Sequence, residues 1–292
     1  QDFLVARCNK TFSLPIYVYM SGATDDSTAY DDSALGQMVT SVSNQLYSIG
    51  NRTSATWDNS AYTLSPSNRT AYYGVLNMTH PYVNFDRIQY DLSSLTAAVN
   101  NETLYVSYGV YSNSIIRMAA GTENSRYLSS VNPIGAPLGG VKLINILAYG
   151  MSTGGTGGNG LKLHGRVYVY DSTIIAGSGI NGIDVAVDGD VDVANTYVYA
   201  GLTNLDSVGT LTAITTATSD STGTGAAYRN IPVNSTTFSN PGSNDYRLGS
   251  GSLLRAANGG VGTDISGTDS RTATDLIGAT RTIPWDIGAL KY

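Results

Sequence analysis

From about Val141 onward the chain alternates apolar and polar residues with a period of two. Leu161 and Leu163 alternate with Lys162 and His164, and Val167 and Val169 alternate with Tyr168 and Tyr170. A period of two puts one apolar and one polar face on an extended strand. The pattern also repeats. "RVYVYDSTIIAG" (166–177) aligns with "DVDVANTYVYAG" (190–201) at an offset of 24, and "NGLKLHG" aligns with "NGIDVAVDG" at 22. A weaker copy, "VKLINILAYG", places Asn145 over Asp171. Periods in this range mark solenoids, and glycine-broken strands with no room for a crossover helix predict stacked coils of a parallel β-helix. Asn145, Asp171 and Asn195 should then stack at one corner, where Asx side chains bond the turn backbone.

Before this repeat, runs such as "TFSLPIYVYM", "FDRIQYDL" and "ETLYVSYGVYSNSII" predict strands joined by polar loops, with no helical period of useful length. Two packed sheets would account for them. Pro133 and Pro137 cannot donate to a sheet ladder and mark the boundary. The expectation is an all-β chain in four parts. Residues 1–125 form a β-sandwich-like attachment domain and 126–140 a linker. Residues 141–255 form four or five β-helix coils, and 256–292 cap them.

Composition narrows the setting. Charged residues are 13 % of the 292, while Gly (33) and Tyr (21) are abundant. Low charge with many turn-forming and β-favouring residues suits an extracellular or particle-surface protein. The net charge of −6, with no cationic run, argues against nucleic acid. No apolar run approaches the ~20 residues that span a bilayer, so membrane insertion is not expected. The single cysteine, Cys8, excludes an internal disulfide and reads as a buried thiol. Sequons occur at Asn9, Asn51, Asn68, Asn77, Asn101 and Asn234. They are candidate glycosylation sites, although a chain with 22 Asn and 64 Ser plus Thr yields about five by chance.

"FSNPGSNDYRLGSGSLLRAANGG" (238–260) and "TDLIGATRTIPWDIGALKY" (274–292) resemble the closing segment of right-handed parallel β-helix proteins of the pectate-lyase-like superfamily. The matching residues include Phe238, Pro241, Asp245, Tyr246, Leu248, Asp275, Gly278, Arg281, Asp286, Ile287, Gly288 and Ala289; Leu253 stands where the family usually has Pro. The resemblance implies a right-handed coil and says little about catalysis, because lyases, hydrolases, adhesins and virion proteins share it. In chemical terms, Arg281 could bridge Asp275 and Asp286 with its planar fork, and Trp285 could lid the apolar bore.

The chemistry-bearing candidates are few. His80 and His164 are isolated, and no zinc-ligand spacing exists, so neither metal nor cofactor is expected. "GTGGNG" (155–160) lacks a phosphate-binding Lys and a following helix. Asp184, Asp188, Asp190 and Asp192 could bind calcium or act in pairs with His164. The alignment, however, puts Lys162 opposite Asp184, Arg166 opposite Asp190 and Tyr168 opposite Asp192. Coils ~4.8 Å apart would make these register-setting pairs. Rows of Tyr could stack on sugar but more often cover a sheet.

The expected function is a non-enzymatic structural protein on a virion or extracellular surface, with a phage decoration or spike-like protein preferred. Its partners would be copies of itself, a homotrimer for instance, a capsid or other surface lattice protein, and a glycan. The alternatives are a polysaccharide-degrading lyase or depolymerase using Asp190, Asp192 and His164, and a secreted filament or adhesin subunit.

Overall fold

The computed structural model describes residues 16–20, 25–26, 30–31, 45–65, 76–78, 83–93, 102–106, 109–118, 120–121, 126–130, 140–153, 158–177, 179–200, 203, 205–221 and 230–290. Within them, three parallel sheets wind together as a β-helix. The first sheet stacks Ile16–Tyr19, Leu46–Ile49, Val83–Asp86, Gly109–Ser112, Val141–Ile144, Arg166–Tyr170, Asp190–Ala194 and Thr210–Ile214, each pairing with the next. The second sheet begins with Asp25–Asp26 and Thr63–Leu64 and ends with Tyr197–Tyr199 and Ala217–Thr218. The third sheet runs from Tyr30–Asp31 to Leu205–Ser207. Among the described residues, seven coils contribute to all three sheets in turn, and the last contributes to the first two.

The bore is apolar because the inward residue of every second position is. Val83, Phe85, Tyr111, Val141, Leu143, Val167, Val169, Val191 and Val193 from the first sheet meet Ile174 and Val198 from the second and Leu161, Leu163, Ile183 and Val185 from the third. β-Branched side chains dominate, and they suit a pleated surface stacked on itself. Phe85 and Tyr111 stack at 5.5 Å inside the bore, one coil apart.

Three expectations need correction. The described strands of the first 125 residues do not form a sandwich; they enter the same three parallel sheets as the later coils. Arg126–Ser130, expected in a linker, is a strand of the third sheet pairing with Glu102–Val106 and Gly158–Leu163. The stack also does not begin at Val141, since four strands of the first sheet are described before the four that lie within residues 141–255. Alternation of period two is identical in a sandwich strand and a β-helix strand. Only the offset between partners separates them, and it is irregular here. Leu46 pairs with Val83, 37 residues on, and Asp190 with Thr210, 20 residues on. Loops of unequal length hide the early repeat. Pro133, Pro137, Cys8 and His80 lie outside the described residues.

The closing segment is not a lid over the last coil. From Ile231 it folds back along the flank of the stack, over the outer face of the second sheet. There Ile115, Leu147, Tyr149, Ile175, Tyr197 and Ala217 pack against Ile231, Phe238, Tyr246, Leu248, Leu254, Leu276, Ile287, Ala289 and Leu290. Many outward residues of the second sheet are apolar as well as the inward ones. That sheet therefore has two faces to bury, and the segment satisfies the second.

Candidate functional site

The corner between the first and second sheets is the most ordered polar feature. Arg87, Asn113, Asn145, Asp171, Asn195 and Thr215 each adopt a positive φ between 49° and 57° there, one per coil. Asn and Asp tolerate this left-handed conformation better than other non-glycine residues. Their side chains join the coils. Asn145 Nδ2 donates to Asn113 Oδ1 at 2.9 Å, and Asn195 Nδ2 to Asp171 Oδ1 at 3.0 Å. Thr215 Oγ1 donates to Asn195 Oδ1 at 2.6 Å. The structure thus brings Asn145, Asp171 and Asn195 into one column.

Beside this column lies a second one that the sequence reading missed. Ser114, Ser172, Thr196 and Thr216 follow the corner residues and are fully buried. Ser172 Oγ donates to Tyr170 O at 2.8 Å and accepts from Ile146 N at 3.1 Å. Each hydroxyl donates to a backbone carbonyl, and those of Ser114, Ser172 and Thr196 also accept an N–H of the preceding coil, groups that a tight turn would otherwise leave buried and unpaired. The cue was the residue after each Asx, which is always Ser or Thr in these coils except at Ile146.

The returning segment locks onto the corner. Asn145 Nδ2 also donates to Thr274 O at 2.8 Å, and Asn195 Nδ2 to Thr263 O at 2.7 Å. Thr263 N donates back to Asn195 Oδ1 at 2.8 Å. Arg281 donates to Asn145 Oδ1 at 3.1 Å and to Gly288 O at 2.9 Å. Arg281 also donates to the carbonyls of Thr274 and Asp286, so it ties the backbone of its own segment to the column, beside which that segment lies. Asp275 Oδ1 accepts from Ile277 N and Ala279 N and shapes a turn, whereas Asp286 Oδ1 accepts from Ala256 N and joins two distant stretches of the segment. Trp285 is buried on the flank, with the Arg281 guanidinium 5.8 Å from its ring, and its carbonyl accepts from Gly262 N.

Arg52, another residue the sequence did not single out, is buried beneath the segment. It donates to Leu276 O at 3.1 Å and to the carbonyls of Ser54 and Asn113. Burial draws its pKa down to about 10, against the pull of Asp86. Asp171 is moved the opposite way. It is wholly buried, and its Oδ2 has no hydrogen-bond partner. Burial raises its pKa to about 7, although Arg281 and the Asn195 hydrogen bond oppose the shift.

The acidic face is knit by coil-to-coil pairs. Lys162 is in register with Asp184, with Nζ and Oδ2 2.5 Å apart. Arg166 is in register with Asp190 at 2.7 Å and also reaches the Asp192 carboxylate. Tyr168 is in register with Asp192, and the Arg166 guanidinium lies 4.6 Å from its ring. His164 Nδ1 lies 2.8 Å from Asp188 Oδ1. Among the described residues, no group of three or more His, Cys, Asp or Glu is placed to hold a metal ion.

Of the sequons, Asn51 and Asn234 are exposed. Asn51 Oδ1 accepts from Tyr62 N, and Asn234 Oδ1 from Thr236 N and Thr237 N. Asn77 falls within the strand Leu76–Met78. Asn9, Asn68 and Asn101 lie outside the described residues.

No family model, curated protein or solved structure matches the chain. The fold and the site are its only guides to function.

Proposed function

We propose that this chain is a non-enzymatic structural rod displayed on a particle surface, a phage decoration or spike-like protein being the preferred case. One observation carries the reading: the four aspartates that look most like an active site are engaged by side chains of the preceding coil. Asp184 meets Lys162, Asp188 meets His164, and Asp190 and Asp192 share Arg166. A carboxylate acting as base or nucleophile must reach a substrate atom, whereas these pair with a neighbouring coil and fix its register. A flank-bound closing segment that ties many coils together also suits a stiff projecting element.

A right-handed coil of the pectate-lyase-like kind belongs to this reading, as does assembly with further copies and with a lattice protein. The polysaccharide-cleaving alternative has the His164–Asp188 contact in its favour. It requires glycan cleavage that an Asp190→Asn/Asp192→Asn variant abolishes. Electron microscopy of the native source with an antibody to the chain tests the main reading. Labelled subunits in a regular lattice on particles are expected, and a helical array would point to the filament alternative. Protein that stays monomeric and attaches to no particle would overturn the proposal.

A further inference from the structure

The last strand of the first sheet has a free side. Thr210–Ile214 pairs with Asp190–Ala194, and among the described residues nothing pairs with its other edge. The second sheet ends differently, because Thr218 O accepts from Ile231 N at 3.0 Å where the closing segment sets off for the flank. In the bore, Leu211 and Ala213 are only half-buried, whereas Val191 and Val193, their register partners one coil earlier, are wholly buried. Val208 and Ile214, at the same end, are 74 % and 47 % exposed.

A free strand edge is a template for another strand, and proteins usually blunt it with charge, proline, a bulge or a covering element. Among the described residues, this edge has none of these. Residues 207–219, "SVGTLTAITTATS", hold no charged residue and no proline. The strand keeps unbroken register with its predecessor, and the closing segment covers the flank instead. The surface is also of a suitable size. One coil spans the 20 residues from Asp190 to Thr210, and a standard interface uses ~20–30 residues a side.

The backbone of the edge specifies its partner. Thr210 N donates to Gly189 O at 2.8 Å, and Ile214 O accepts from Asn195 N at 3.1 Å. Alternation then turns the N–H and C=O groups of Thr210, Thr212 and Ile214 toward the preceding coil, and those of Leu211 and Ala213 toward the free edge. An antiparallel copy of the same strand, related by a two-fold axis through Thr212, sets each Leu211 opposite the Ala213 of the other copy. That register pairs every one of these free groups. It also meets a bulky side chain with a small one at both bore positions, and Thr212 with Thr212 at the axis.

We infer that the far end of the stack is a two-fold joint, in which Thr210–Ile214 pairs antiparallel with the same edge of a second copy and the bore continues from one copy into the other. A strand of another protein could use the same backbone groups, but the match of Leu211 to Ala213 favours this chain's own edge. Head-to-tail stacking would leave an end open and grow filaments, whereas a two-fold contact closes as a dimer.

The joint goes beyond the structural role proposed above and does not depend on it. A dimer found off every particle would leave the joint standing, and a monomer bound to particles would remove the joint alone. The test is sedimentation equilibrium of the full chain, with a closed dimer expected in the micromolar range. The register sets position 210 of one copy opposite position 214 of the other. Thr210→Lys/Ile214→Lys therefore opposes like charges twice and should weaken dimerisation at least a hundredfold. Thr210→Lys/Ile214→Glu opposes unlike charges and should restore it to within tenfold of the native chain. Both carry Thr210→Lys, which Asp190 in register one coil earlier accommodates. Circular dichroism of the two variants should match that of the native chain. Thr212→Cys should oxidise to a disulfide that joins position 212 of two copies, identified by mass spectrometry of the linked peptide. A native chain that stays monomeric, open-ended filaments, or a Lys/Lys variant that dimerises like the native chain would each overturn the inference.

Discussion

Asp171 carries the sharpest residue-level consequence. It replaces an asparagine in a column of asparagines, and its Oδ2 is buried without a partner. Its carboxyl titrates near 7 in the folded chain, against an ordinary value of 3.8. Between those values the folded protein holds a proton that the unfolded chain has released. Stability therefore falls as pH rises from about 4 to about 7 and is flat above. The carboxylates of Asp91 and Asp269 are held low, by Arg117 and Lys142 among others and in spite of burial. Their stabilisation is present above the ordinary value and is lost only as pH falls below it. The two windows do not overlap. Asp171→Asn should remove the loss between pH 5 and pH 8 and leave the variant more stable at pH 8, by a few kcal/mol at most. Urea denaturation at the two pH values measures this, and an unchanged slope would refute the assignment. The column itself was legible in the sequence, because Asn145, Asp171 and Asn195 recur at the coil spacing. The charge state of Asp171 was not, because it depends on what covers the corner, and that cover comes from about 100 residues further along the chain.

Between elements, the pairs joining adjacent coils should differ in worth according to burial. Asp184 is nearly enclosed, with 9 % of its side chain exposed, whereas 55 % of the Asp190 side chain is exposed. Lys162→Met strands a largely buried carboxylate and should cost about 2 kcal/mol. Asp190→Asn should cost less than ~1 kcal/mol, since Arg166 keeps Asp192 and solvent screens the pair. Chemical denaturation in low and high salt checks both, and only the Asp190 effect should shrink with salt. Alternation of Lys162, Arg166 and the aspartates in the primary structure suffices to place these partners opposite one another, because register in a coil of near-constant length follows from counting. The same counting fails in the first half of the chain. There the offset changes from Leu46–Val83 to Val110–Asn84 by eleven residues, so identical local alternation resembles a sandwich.

At the scale of the molecule, the returning segment decides how the rod behaves. Coil stacks are quasi-one-dimensional and can fray from an end. Here one segment bonds Arg52 near the start through Leu276, Asn145 in the middle through Thr274, and Asn195 near the far end through Thr263. Fraying any of these coils breaks contacts with a common brace, so the described part of the stack should melt in one cooperative transition. Truncation at residue 230 would uncover the apolar outer face of the second sheet, including Ile115, Leu147, Tyr149 and Tyr197. The truncated chain should bind a hydrophobic dye, aggregate, and lose the single transition in calorimetry. Retention of one sharp transition would show that the brace is dispensable.

The amino-acid sequence by itself determined what local periodicity encodes. Strands came from alternation, the coil spacing of residues 141–201 from self-similarity, the Asx corner from its recurrence, and the Lys162–Asp184 and Arg166–Asp190 facings from register. Those features depend on neighbours at fixed, short offsets. Only the tertiary structure decided that the first half winds into the same sheets, because variable loops erase the offset that pairing would reveal. It alone placed the closing residues on the flank rather than over the end. The turn around Asp275 specifies its own bend, whereas the surface the segment covers is chosen by the apolar outer face of the second sheet. It also left one edge of Thr210–Ile214 unpaired among the described residues, because a stack ends where the chain departs for the flank, and nothing within the strand itself marks that place.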